Sequence, residues 1–157
     1  MKFDSTTSAV VTGGASGLGR ATAEALAAAG VKVTIFDIND ALGEKVAAAI
    51  GGLFVHVDIT DEQSVLDGYA KARAANGQER ICVHCAMTSR RGKTLAYDKE
   101  KGGYRRTPTE DYAFGVEGIL TASYRVASIA AEGMATLPEM EDGERGAIIL
   151  TASVAAQ

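Results

Sequence analysis

The 157-residue chain has no tryptophan, two prolines, two histidines and two cysteines. Two cysteines cannot build a disulfide framework, which fits a reducing compartment and predicts a cytoplasmic location. Long apolar runs are also missing. None approaches the roughly 20 residues needed to span a bilayer, so no membrane partner is expected. Asp4 stands where an export signal would place its apolar segment, and no secretory leader is expected. Basic runs are short, and 16 Lys and Arg face 20 Asp and Glu for a net charge of −4. Backbone-driven nucleic-acid binding is therefore not expected. What the chain does have is 18 glycines and 46% hydrophobic residues, enough for one domain with a sizeable core.

The glycines are concentrated where they matter most in Ala9-Val10-Val11-Thr12-Gly13-Gly14-Ala15-Ser16-Gly17-Leu18-Gly19-Arg20. Short apolar residues run into a glycine-rich turn, and a helical pattern (Ala21, Glu24, Ala25, Leu26, Ala28) opens behind it. A buried strand, a tight loop and a helix N-terminus are the parts of a phosphate cradle. One glycine permits the turn, one lets a pyrophosphate approach the backbone, and one lets helix and strand pack closely. The helix start offers unpaired N–H groups and a positive dipole end. Asp37 closes the next strand about 20 residues on, where a carboxylate accepts from the ribose hydroxyls and repels a 2′-phosphate. The combination predicts a dinucleotide site, with NAD preferred over NADP.

Along the rest of the chain, strands are predicted at Val31 to Asp37, Leu53 to Asp58, Arg80 to Cys85 and Ala147 to Thr151. Asp40 to Ile50 reads as a helix with Ala41, Leu42, Val46 and Ala47 on its inner face. Another starts with Thr60 as its cap residue and runs to about Asn76. The polar stretch from Met87 to Thr107 shows no apolar period and reads as a loop. Pro108 opens a long helix reaching roughly Met134, with apolar residues on more than one side. Strands alternating with helices imply an α/β, Rossmann-type, doubly wound parallel sheet of order 3-2-1-4-5 in one domain, with the ligand across the carboxyl ends of the strands. Cys82-x-x-Cys85 around His84 has a superficial look of metal ligands. Residues three apart on a strand point to opposite faces, and no second ligand pair exists, so no metal is expected.

Thr12-Gly13-Gly14-Ala15-Ser16-Gly17-Leu18-Gly19 resembles the T-G-x-x-x-G-x-G signature of the short-chain dehydrogenase/reductase family. Its likeness is greatest to the NAD-dependent 3-hydroxyacyl-CoA branch, along essentially the whole chain. The resemblance implies that Gly13, Ser16, Gly17, Leu18 and Gly19 hold the cofactor phosphates. Ser16 stands where NADP-using members often carry a base. Asp58-Ile59 matches the family's acidic–apolar pair that holds adenine, the carboxylate taking the exocyclic amine and Ile59 covering the ring. Val83-His84-Cys85-Ala86-Met87 matches V-N-[NC]-A-G, which implies that Cys85 and Ala86 line the cofactor, with His84 in place of Asn and Met87 in place of Gly. The family's relay asparagine falls on Ile119. The run Arg145 to Ala156 matches the segment that brings the catalytic serine, here Ser153.

The implied activity is NAD-dependent oxidation of a secondary alcohol or reduction of a ketone, of 3-hydroxyacyl-CoA type, by a homo-oligomer assembled through the long helix. The family's Tyr-x-x-x-Lys has no counterpart up to Gln157, so the chain is expected to be the cofactor-binding N-terminal part, inactive by itself. The other reading is a non-catalytic NAD-binding or sensor protein.

Overall fold

Apolar residues on both sides of a strand require cover on both faces, and the first strand sets that requirement. The computed structural model describes residues 1–90 and 92–153. Strand β1 (Ser8–Thr12) is buried at all five positions. Val10 packs into one apolar cluster, while Ala9 and Val11 pack into the other on the opposite face. Each fully buried valine contributes about 1.5–3 kcal/mol relative to exposure.

Helix α1 (Gly17–Ala28) follows, then β2 (Lys32–Asp37), α2 (Asp40–Ile50), β3 (Leu53–His56), α3 (Glu62–Asn76) and β4 (Ile81–His84). A hairpin of β5 (Leu95–Asp98) and β6 (Gly103–Arg106) precedes α4 (Thr109–Val116), a π-helical turn (Glu117–Thr121), α5 (Ala122–Ala135) and β7 (Ala147–Leu150). The five-stranded sheet runs β3-β2-β1-β4-β7, all parallel. This is the predicted order 3-2-1-4-5, with β7 as the fifth strand of the sheet. Helices α3 and α5 cover the cluster of Val10, Phe36, Cys82 and Tyr69; α1 and α2 cover the other. Because every strand points the same way, the carboxyl ends of β1, β2, β3 and β4 gather at one edge, and the glycine loop sits there.

Four local expectations are corrected. The stretch read as a loop from Met87 to Thr107 contains the β5–β6 hairpin, paired antiparallel with Tyr97 opposite Tyr104. None of its residues is buried, so it has no core-facing apolar alternation to display. The cap of α3 is Asp61, whose carboxylate accepts from Gln63 N–H at 3.0 Å, and not Thr60. Ala41 and Leu42 face solvent; the buried side of α2 is Gly43, Val46 and Ala47, because Gly43 is what lets the Phe54 ring lie against the helix. The long helix is not regular: its register widens over one π turn before α5 resumes. Arg91 and residues 154–157 fall outside the described residues, and with them one basic residue of the loop and the end of the Ser153 segment.

Candidate functional site

Thr12 ends β1 and ties two loops together. Its carbonyl accepts from Cys85 N–H at 3.2 Å, and its hydroxyl oxygen accepts from Ala86 N–H at 3.2 Å. The same hydroxyl lies 2.7 Å from Nδ1 of His84. The backbone then turns through Gly13, at φ +66°, where an added Cβ would sit 2.9 Å from the Ala86 nitrogen. Gly13 N–H donates to Phe36 O at 2.8 Å. At Gly19 a Cβ would overlap the Gly13 carbonyl, so only glycine lets α1 start this close to the strand. Gly17, at φ +53°, has open space where its Cβ would be. One glycine closes the loop, one lets the helix in, and one leaves its face clear for a ligand.

Ser16 precedes α1 but makes no side-chain cap hydrogen bond, whereas Asn39 and Asp61 cap α2 and α3. The first intrahelical bond is from Arg20 N–H to Ser16 O, at 3.0 Å. The amides of Gly17, Leu18 and Gly19 therefore lie ahead of it, at the positive end of the helix dipole.

Asp37, at the end of β2, is held by two backbone amides. Ala15 N–H donates to Oδ2 and Asn39 N–H to Oδ1, both at 3.0 Å. The carboxylate is thus fixed against the glycine loop it would serve. Asp58 follows β3, with Oδ1 accepting from both the N–H (2.9 Å) and the hydroxyl (2.7 Å) of Thr60. Ile59 is buried beside it.

These groups line one cleft of about 590 Å³. It brings together Gly13, Ser16, Gly17, Leu18, Gly19, Asp37, Asp58, Ile59, Cys85 and Ala86, all ten residues expected at a cofactor site. Met87 and Leu18 reach it with exposed side chains. Phe36, Thr88 and Phe114 also line it and had no signal in the sequence, since they enter through strand register and the fold of a loop. Ser153 lies exposed two residues beyond Thr151, the residue of that strand end that reaches the cleft. Ile119 lines a second cavity, with Arg90, Tyr112 and Leu120, instead of this one.

The Cys82–His84–Cys85 cluster resolves into three separate environments. Cys82 is buried in the core, 3.3 Å from the Tyr69 hydroxyl, and burial pushes its thiol up to about 11. Cys85 lies toward the opposite apolar cluster and accepts from the Thr151 hydroxyl at 3.4 Å. Burial lowers the pKa of His84 below its ordinary 6.5, so the ring is neutral at pH 7; its Nε2 is buried with no hydrogen-bond partner among the described residues. Among those residues no group of three or more His, Cys, Asp or Glu could hold a metal, and no helix is long and apolar enough to cross a membrane.

A parallel sheet of this order, with a glycine loop and an acid closing the second strand, defines a dinucleotide-binding class of protein. Residues 7–157 match the family model for short chain dehydrogenase, and the chain belongs to that family. It is 38% identical over 149 residues to 3-hydroxyacyl-CoA dehydrogenase type-2 of Drosophila melanogaster, covering 94% of this chain and 57% of that protein. It is 37% identical over 149 residues to a 2,5-dichloro-2,5-cyclohexadiene-1,4-diol dehydrogenase of Sphingobium indicum, covering 93% and 54%. The crystal structure of 3-hydroxyacyl-CoA dehydrogenase type-2 from Mycobacterium avium superposes with a TM-score of 0.85 at 32% identity, covering 99% of this chain and 60% of that one. The chain spans about half the length of the curated relatives it matches.

Proposed function

We propose that residues 1–157 form one NAD-binding domain, the cofactor-binding part of an oxidoreductase acting on a secondary alcohol or ketone, of 3-hydroxyacyl-CoA type. The observation that carries this reading is the Asp37 carboxylate, pinned by two amides at the end of β2 in the same cleft as the glycine loop. The residues fit the group. Gly17 leaves open space above the loop, and the α1 amides lie ahead of the first intrahelical bond. When bound, NAD supplies the hydride acceptor. The amides at Gly17, Leu18 and Gly19 bind its phosphates, and Asp37 accepts from the adenosine ribose hydroxyls while opposing a 2′-phosphate. Asp58 has one oxygen committed to Thr60 and the other left to accept from the adenine amine, with Ile59 against the ring. Ser153 orients the substrate oxygen by hydrogen bonding. The proton acceptor belongs to a Tyr-x-x-x-Lys that these 157 residues do not include, so the chain alone turns over no substrate. The protein acts in the cytoplasm as a homo-oligomer, without nucleic-acid or membrane partners.

Relatives at 38% and 37% identity are named for a 3-hydroxyacyl-CoA dehydrogenase and for a chlorinated cyclohexadienediol dehydrogenase. A second reading, a non-catalytic NAD-binding sensor, is favoured by Ile119 at the relay position and Met87 at the cleft. Two measurements test the proposal. Calorimetric titration should find NAD binding that Asp37→Ser weakens while narrowing the discrimination against NADP. Turnover of 3-hydroxyacyl-CoA by a longer form carrying the Tyr and Lys would favour the enzyme; NAD binding without turnover would favour the sensor. Failure of the wild-type chain to bind NAD would sink both.

A further inference from the structure

Arg125 is an α5 residue that none of the motifs above includes. Its side chain is 12% exposed and reaches out of its own helix in two directions. Nη1 donates to the carbonyl of Ile59 at 2.7 Å. Nη2 donates to Oε1 of Glu117 at 2.8 Å, at the first residue of the π turn. Nε is buried without a hydrogen-bond partner among the described residues, and Glu62 Oε2 stands 3.9 Å away, close enough to supply charge.

A guanidinium placed so that it grips a backbone carbonyl is a positioning device. The carbonyl belongs to the residue between Asp58 and Thr60, both of which line the cleft. The 58–60 turn is otherwise held by short-range bonds: Asp58 to Thr60, and Asp58 N–H to the Ser64 hydroxyl at 3.0 Å. Arg125 is the long-range one, 66 residues away in sequence. A charge-assisted bond of this kind contributes more than a neutral one and fixes direction, and Glu117 and Glu62 keep the mostly buried cation compensated. The guanidinium therefore joins the wall of the cleft after β3 to the helix that runs past β4.

We propose that Arg125 is a positioning residue for adenine recognition: it holds Ile59 at the depth that covers an adenine ring. The proposal rests on the reading of this cleft as the NAD site. Loss of the grip lets the turn relax and weakens ligands that carry adenine, without weakening those that use the rest of the cleft.

The test compares AMP, NAD and nicotinamide mononucleotide by calorimetry on wild type, Arg125→Met and Arg125→Lys, with melting temperatures taken in parallel. Arg125→Met should lose about tenfold in affinity for AMP and NAD, equivalent to one strong contact, while nicotinamide mononucleotide changes little. Arg125→Lys keeps a cation but a single donor head in place of the two-pronged guanidinium, and should recover part of the loss. A general destabilisation would lower all three ligands together and would not be rescued by lysine; that pattern overturns the proposal, as does unchanged AMP affinity in Arg125→Met. If Arg125→Met does not fold, Glu117→Ala decides, by a loss of about threefold or more for AMP or by none. Wild type that binds neither AMP nor NAD brings down the NAD reading and this proposal together, whereas wild-type binding with indifferent variants brings down the proposal alone.

Discussion

The two sides of the sheet are finished to different degrees. β1 buries all five of its residues between two layers of helices, and β2 buries four of six. β7, at the other edge, buries none of its four, and Ile149 and Leu150 are about half exposed. Tyr112 on α4, Leu120 on the π turn and Tyr124 on α5, the helix beside β7, are exposed as well. Around the glycine loop, by contrast, the side chains of Asp37, Thr12 and Asp58 each have named partners at hydrogen-bond distance. The half around the glycine loop is held by contacts made within these residues, while among the described residues the β7–α5 side leaves apolar side chains exposed. Ligand binding at the glycine loop should therefore be separable from assembly, which falls to the exposed apolar side.

The largest expected effect comes where the halves are joined. Arg73 on α3 makes a two-point bond to Glu79, at 2.8 and 3.0 Å, and also donates to Ile129 O on α5 at 3.0 Å. The Glu79 side chain is only 2% exposed. Arg73→Met strands that carboxylate, and should cost about 3–5 kcal/mol in urea-melt stability. A cost under about 1 kcal/mol would mean that the seam is wet and the halves are less coupled than described.

Next comes a pair of glycines, one in each half. Gly19→Ala drives a Cβ into the Gly13 carbonyl, so it should cost about 1–3 kcal/mol and eliminate NAD binding. Gly102→Ala, at φ +66° in the β5–β6 turn with open space around it, should cost about 1–2 kcal/mol, confined to the hairpin, and leave NAD affinity unchanged. Equal effects on binding would erase the contrast between the regions.

A smaller effect concerns acid. His84 is neutral and buried, with a folded pKa below the ordinary 6.5. Below about pH 6.5 the unfolded chain takes up a proton that the folded chain refuses, so stability is full above that value and falls as pH drops through it. His84→Asn removes the titrating ring, and the melting temperature should then lose part of its decline between pH 6.5 and more acid values. An identical pH profile in both proteins would place the acid sensitivity elsewhere. The smallest expected signal is association: sedimentation should find a homo-oligomer whose dissociation is promoted by Leu120→Glu or Tyr124→Glu on the open helical face. A clean monomer at micromolar concentration would count against it.

Much of the fold was legible because the strands near the glycine loop have a strong physical signature. Val10, Val11, Val33 and Ile35 are apolar on both faces, and Gly30 and Gly51-Gly52 mark the helix ends. The helix Asp40–Ile50 is legible at both ends because Asn39 caps it and Gly51, at φ +65°, stops it. The hairpin was not legible, since two solvated strands carry no alternation; the Gly102-Gly103 turn between Tyr97 and Tyr104 was the available signal. The π turn has no sequence signature at all. Ile119 lies within it and lines the cavity shared with Arg90 and Tyr112. The ten residues expected at the cofactor site meet in one cleft because they sit at the carboxyl ends of the strands or at the start of the helix that follows β1, where topology brings them together. Arg125 escaped notice because its role depends on a carbonyl 66 residues away.

The central claim is that Asp37 makes this cleft an NAD site, and titrating the wild-type chain with NAD and NADP side by side tests it most directly. The account predicts that NAD binds and that NADP, whose 2′-phosphate meets a carboxylate fixed by Ala15 and Asn39, binds at least about tenfold more weakly. Equal affinities, or tighter binding of NADP, would contradict it.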